Sequence, residues 1–148
     1  CAEGLGLAIQ AMPKDQGSQI LKHYLDSLGG SNPRAAGFGV AGAVKGLTSR
    51  CLTGQGVMET LQKALENKKD ASLRQGALAA YEALARVLRQ IFEPYAVKAL
   101  PLVINKMGDK VPEVKSAAEA AFAGINSVVG LHGLCVFLPV MSAALHDS

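Results

Sequence analysis

Apolar residues recur at intervals of three, four and seven through the second half of the chain. Leu73, Ala77, Leu84, Leu88 and Ile91 fall near one face. Val97, Leu100, Ile104 and Met107 form a second such set, Val114, Ala118, Ala121 and Ile125 a third, and Leu134, Leu138, Met141 and Leu145 a fourth. Steps of this size line one side of an α-helix, and no alternating run is long enough for a strand. Start and stop residues agree with the periodicity. Asn32-Pro33 and Glu93-Pro94 read as an N-cap followed by proline in the first turn. Asp70 can cap a helix starting at Ala71, and Gly29-Gly30, Gly54, Gly108 and Gly130 mark ends. The pattern predicts eight helices, at about 1–12, 17–28, 33–48, 55–67, 71–91, 94–107, 112–128 and 132–146. Their short connections force neighbours to run antiparallel.

The helices repeat in pairs. The basic residues Arg34, Arg74 and Lys115 open alternate helices at separations of 40 and 41, and Pro101 precedes Pro139 by 38. A two-helix unit near 40 residues has the period of HEAT and armadillo solenoids. The fold class expected is therefore all-α: a HEAT-repeat solenoid of antiparallel hairpins, with about three full repeats and a half repeat at each end. The chain starts without Met inside one predicted helix and ends just after another, so residues 1–148 are expected to form one segment from the interior of a longer solenoid.

The hairpin at 94–128 carries a proline within its first helix (Pro101), an aspartate in its turn (Asp109) and Val114-Lys115 opening its second helix, which resembles the HEAT consensus. The strings RAAGFGVAGAVKGL (34–47), RQGALAAYEALARVLRQIFEPYAVKALP (74–101) and GLHGLCVFLP (130–139) resemble the HEAT region of the large, ribosome-associated general-control translational activators. That region is itself similar to the HEAT domain of elongation factor three. The resemblance covers most of 20–146 and weakens over 1–19 and 48–56. It implies a cytoplasmic, non-catalytic scaffold that binds ribosomes and partner proteins and supports activation of the eIF2α kinase in amino-acid starvation. The implied partners are rRNA phosphates or ribosomal proteins, and the regulatory kinase or other translation factors through the full-length protein. Two alternatives stay open: the HEAT domain of an elongation-factor-three-like ribosomal ATPase, and a general protein-binding HEAT scaffold.

Composition suits close helix packing. Hydrophobic residues make up 49%, aromatics 5% and charged residues 18%, with 16 glycines and no Trp. The three cysteines, Cys1, Cys51 and Cys135, form no CxxC and read as free thiols. Ala120 to His146 contains no Asp, Glu, Lys or Arg. Gly130, His132, Gly133 and Pro139 punctuate this run, which reads as two helices of ordinary length and not as a membrane span.

Candidate chemistry is sparse. Gly37, Gly39 and Gly42 spell GxGxxG, but no strand precedes them, so close packing explains them better than a dinucleotide. His132 and Cys135 have metal-like spacing without a second pair of ligands. No string characteristic of a nucleophile, a zinc protease or a phosphate loop occurs. The expectation is no enzyme activity, no cofactor, no metal site, no small-molecule substrate and no membrane partner. Glu82 and Arg86, four residues apart, read as a pair on a solvated helix face.

Net charge is a modest +3, so its placement matters more than its size. In a stacked solenoid the turns within hairpins share one rim. That rim gathers Arg34, Lys68, Lys69, Arg74, Lys106, Lys110 and Lys115, together with Asp26, Glu66, Asp70, Asp109 and Glu113. Two readings follow: the rim is a row of Arg/Lys–Asp pairs between repeats, or its seven basic groups contact rRNA phosphates or an acidic partner.

Overall fold

The computed structural model of the chain describes residues 2–47 and 56–129, together with Ser142. Seven helices run through them: α1 (Ala2–Gln10), α2 (Lys14–Asp26), α3 (Pro33–Leu47), α4 (Val57–Glu66), α5 (Ala71–Leu88), α6 (Glu93–Met107) and α7 (Pro112–Val128). There is no strand among the described residues. The predicted helix at 132–146 lies outside them, apart from Ser142.

The start signals act as the sequence suggested. Asp70 accepts a hydrogen bond from the Leu73 N–H at 3.1 Å, capping α5. Asn32 accepts from the Ala35 N–H at 3.3 Å, at the head of α3. Helix α5 ends three residues earlier than its periodicity implied. Arg89–Phe92 tighten into a 3-10 turn, which rotates Ile91 off the apolar face and leaves it 57% exposed while Phe92 takes the buried place.

The helices form two layers. Helices α1, α3, α5 and α7 lie side by side, with α5 between α3 and α7; α2, α4 and α6 cover them and touch one another less. Each hairpin (α2/α3, α4/α5, α6/α7) contributes one helix to each layer, as expected for stacked repeats. Small residues set the spacing of the first layer. A Cβ built on Gly37 would lie 2.6 Å from the Ala80 nitrogen and 2.7 Å from the Gly76 carbonyl oxygen. Gly39 lies against the Tyr24 ring. The GxGxxG string is thus the seam along which α3 meets α5 and α2. Leu84, Val114, Ala118, Ala121 and Ile125 are all buried in the shared core. Ile9 is buried against it too, whereas Leu7 of α1 is exposed.

Candidate functional site: the turn rim

The turns α2–α3, α4–α5 and α6–α7 lie along one edge, and successive turns touch. A Cβ on Gly29 of the first would sit 3.1 Å from the Asp70 carboxylate of the second. The second reaches the third through Arg74. Its Nη2 donates to Asp109 Oδ1 at 3.2 Å, and its Nη1 donates to the Asn67 carbonyl at 2.9 Å. Its Nε lies 3.0 Å from Asp109 Oδ2, an ion-pair contact without hydrogen-bond geometry.

Arg74 is therefore not the solvent-facing contact residue the sequence suggested. It is 6% exposed and ties one repeat to the next. Burial makes this pair matter more than an exposed one, because either partner left alone would be a desolvated charge. Asp109 also accepts from the Val111 N–H at 3.1 Å. Desolvation would raise its carboxyl. The Val111 and Arg74 hydrogen bonds and the charges of Arg74 and Lys106 overcome that and hold it below the usual carboxylate range.

Around this latch the lysines converge. Lys68, Lys106 and Lys110 line a cavity of about 460 Å³ with Arg74, Asn105 and Asp109. Since Arg74 and Asp109 offset each other, the three lysines set the local charge. Asn67 shapes the edge, its side-chain oxygen accepting from the Lys69 and Asp70 N–H groups at 3.0 and 3.3 Å. That turn leaves Lys68 and Lys69 exposed. Lys69 is adjacent but outside the cavity lining.

The remaining two candidates sit elsewhere. Lys115 is exposed on the first turn of α7. Arg34 opens α3 and borders a separate groove with Gln75 and Glu113. The repeat register places Arg34 where Arg74 sits, one unit earlier, and would pair it with Asp70. Asp70 instead caps α5, and Arg34 makes no ion pair among the described residues. The Glu82–Arg86 pair departs from the solvated face predicted for it. Arg86 Nη2 meets Glu82 Oε1 at 2.8 Å, but the Glu82 side chain is only 4% exposed, walled in by Gly124 of α7. His132 and Cys135 lie outside the described residues. No helix among the described residues is long and apolar enough to cross a membrane.

Antiparallel helix pairs in two layers, recurring near 40 residues and latched turn to turn by Arg74 and Asp109, define a HEAT-type α-solenoid. Residues 33–148 match the EF3 N-terminal HEAT repeat, and the chain belongs to that family. It is 37% identical over 139 residues to the eIF-2-alpha kinase activator GCN1 of Dictyostelium discoideum, covering 90% of this chain and 5% of that protein. Against Protein ILITYHIA of Arabidopsis thaliana it is 40% identical over 114 residues, or 77% of this chain and 4% of the relative. Against the stalled ribosome sensor GCN1 of Homo sapiens it is 34% identical over 142 residues, 94% and 5% respectively. The chain thus spans about 5% of the length of these relatives. No solved structure matches it.

Proposed function

We propose that this chain is a non-catalytic segment of a cytoplasmic helical-repeat scaffold in translational control. In this reading it contributes to ribosome binding and to activation of the eIF2α kinase by the whole protein. The observation that carries the proposal is the alignment, over nine-tenths of the chain or more, with relatives named as a kinase activator and as a stalled-ribosome sensor. The turn rim is the contact surface we assign. Lys68, Lys106 and Lys110 surround one cavity there with Lys69 beside it, a cationic surface matched to phosphate. Lys115 and Arg34 extend the basic surface away from the cavity, and Arg74 supports it from beneath.

The test is co-sedimentation of the intact protein with ribosomes across a salt series, wild type against a variant carrying Lys68→Gln, Lys69→Gln, Lys106→Gln and Lys110→Gln. Binding should weaken and its salt dependence flatten by roughly one unit of slope per lost phosphate contact. The fold should hold, because Lys68, Lys69 and Lys110 are exposed and half-buried Lys106 makes no ion pair with a described residue. An unchanged profile would return these lysines to a purely solvating role. The family match also favours a second reading, the HEAT domain of an elongation-factor-three-like ATPase. ATP-binding cassettes in the same polypeptide would select it.

A further inference from the structure

On the opposite layer from the α3–α5–α7 seam, α4 and α6 stand apart and leave a groove of about 310 Å³. Met58, Tyr95 and Leu102 form the apolar part of its walls, Gln62 adds a polar edge, and Tyr81 of α5 lies at its floor. Tyr81 is 1% exposed and packs on Phe92, with ring centroids 6.4 Å apart. Its hydroxyl has no hydrogen-bond partner among the described residues. The hydroxyl opens into the groove and is not sealed in the core, so its free O–H is available to an acceptor on a ligand. Burial pushes the phenol far above its ordinary range, so it remains a donor at any physiological pH. Glu59 and Lys98 stand exposed at the lip, neither in an ion pair with a described residue.

We propose that this groove is a docking pocket for one bulky aliphatic side chain on an extended segment of a partner protein, whose main-chain carbonyl accepts the Tyr81 O–H. The volume has room for one bulky aliphatic side chain together with its adjoining main chain. The free donor selects an extended segment over a helix, because the carbonyls of a helix are already bonded within it. The opposite charges of Glu59 and Lys98 favour a segment with a basic residue on one side of the anchor and an acidic residue on the other. Repeats stacked at either end of a solenoid touch its end units, whereas this groove lies between α4 and α6, which are neighbours in the outer layer.

The probe is a blocked tripeptide, acetyl-Lys-photoleucine-Glu-amide, and its reversed sequence, irradiated with the intact protein and mapped by mass spectrometry. Labelling should concentrate on Met58, Tyr95 and Leu102. The unlabelled leucine peptide should compete, and its alanine counterpart should not. Tyr81→Phe keeps the ring packed on Phe92 and removes only the hydroxyl, so labelling should fall about three- to tenfold, the worth of one neutral hydrogen bond. Met58→Lys, at a half-buried wall position, should abolish it without touching the floor. Labelling scattered over the surface, or equal in wild type and both variants, would overturn the proposal. Competition by free leucine as strong as by the peptide would also overturn it, making the ligand a small zwitterion.

Discussion

Asp109 carries more of the fold than its place in a turn suggests. It ends a hydrogen-bond chain from Asn67 through Arg74 and also fixes the Val111 N–H. Its carboxyl is held below the usual range, so the stability it confers is complete above the unfolded value, about 3.9, and is lost as pH falls through the lower folded value. Asp109→Asn should cost about 2 kcal/mol near neutral pH, the worth of hydrogen bonds to a charged group. The gap to wild type should narrow as pH falls below about 4. Urea midpoints across pH 2.5–7 check both parts; a gap that stays constant with pH would mean that the charge is not what matters. Arg89 gives a second residue-scale expectation. Its φ of 48° and ψ of −122° mirror an extended conformation that glycine adopts freely and arginine does not. The side chain is exposed, so little packing is at stake. Arg89→Gly should raise stability by about 1 kcal/mol, read as a rise in Tm of a few degrees.

The seam between α3 and α5 is decided by backbone, not by side-chain chemistry. At Gly37 an added methyl meets the Ala80 nitrogen and the Gly76 carbonyl, and neither can turn aside as a side chain would. Gly37→Ala should therefore push the helices apart at a cost of about 1–3 kcal/mol, despite alanine's higher helix propensity. Denaturant unfolding measures it; an alanine variant as stable as wild type would show the seam to be loose. A sequence offers no direct sign of such a seam. GxGxxG has the same letters in a phosphate loop and in a helix contact, and only the absence of a preceding strand separates them. The boundary of α5 was equally out of reach, because 88–91 continues the apolar periodicity and only the 3-10 turn at Arg89–Phe92 breaks it.

At the scale of the molecule, each repeat covers the last, and an end helix has one covered side only. Leu7 is 69% exposed and Met12 43% exposed at the α1 end. A polypeptide comprising residues 1–148 alone should associate with rising concentration, and Leu7→Glu with Met12→Glu should suppress it. Sedimentation velocity over a hundredfold concentration range reads this out; a wild-type monomer throughout would mean that the exposed surface is too small to drive association.

The sequence by itself determined the all-helical repeat. Apolar spacing, caps at Asn32 and Asp70, and the recurrence of Arg34, Arg74 and Lys115 are local or periodic signals, and local signals survive without knowledge of the partner. It also suggested a basic rim, because turns within equal repeats align, and Lys68, Lys106 and Lys110 do gather at one cavity there while Arg34 borders a separate groove. Tertiary structure alone decided which of those charges remain available. Arg74 and Asp109 stand 35 residues apart, and their pairing depends on the angle at which two repeats meet. Arg34 makes no such pair among the described residues, and Asp70 caps α5 instead. Burial of Glu82 beneath α7 and the unpaired Tyr81 hydroxyl between α4 and α6 have the same origin. Periodicity says which way a side chain faces from its own helix, but only the neighbouring helices decide what it meets there.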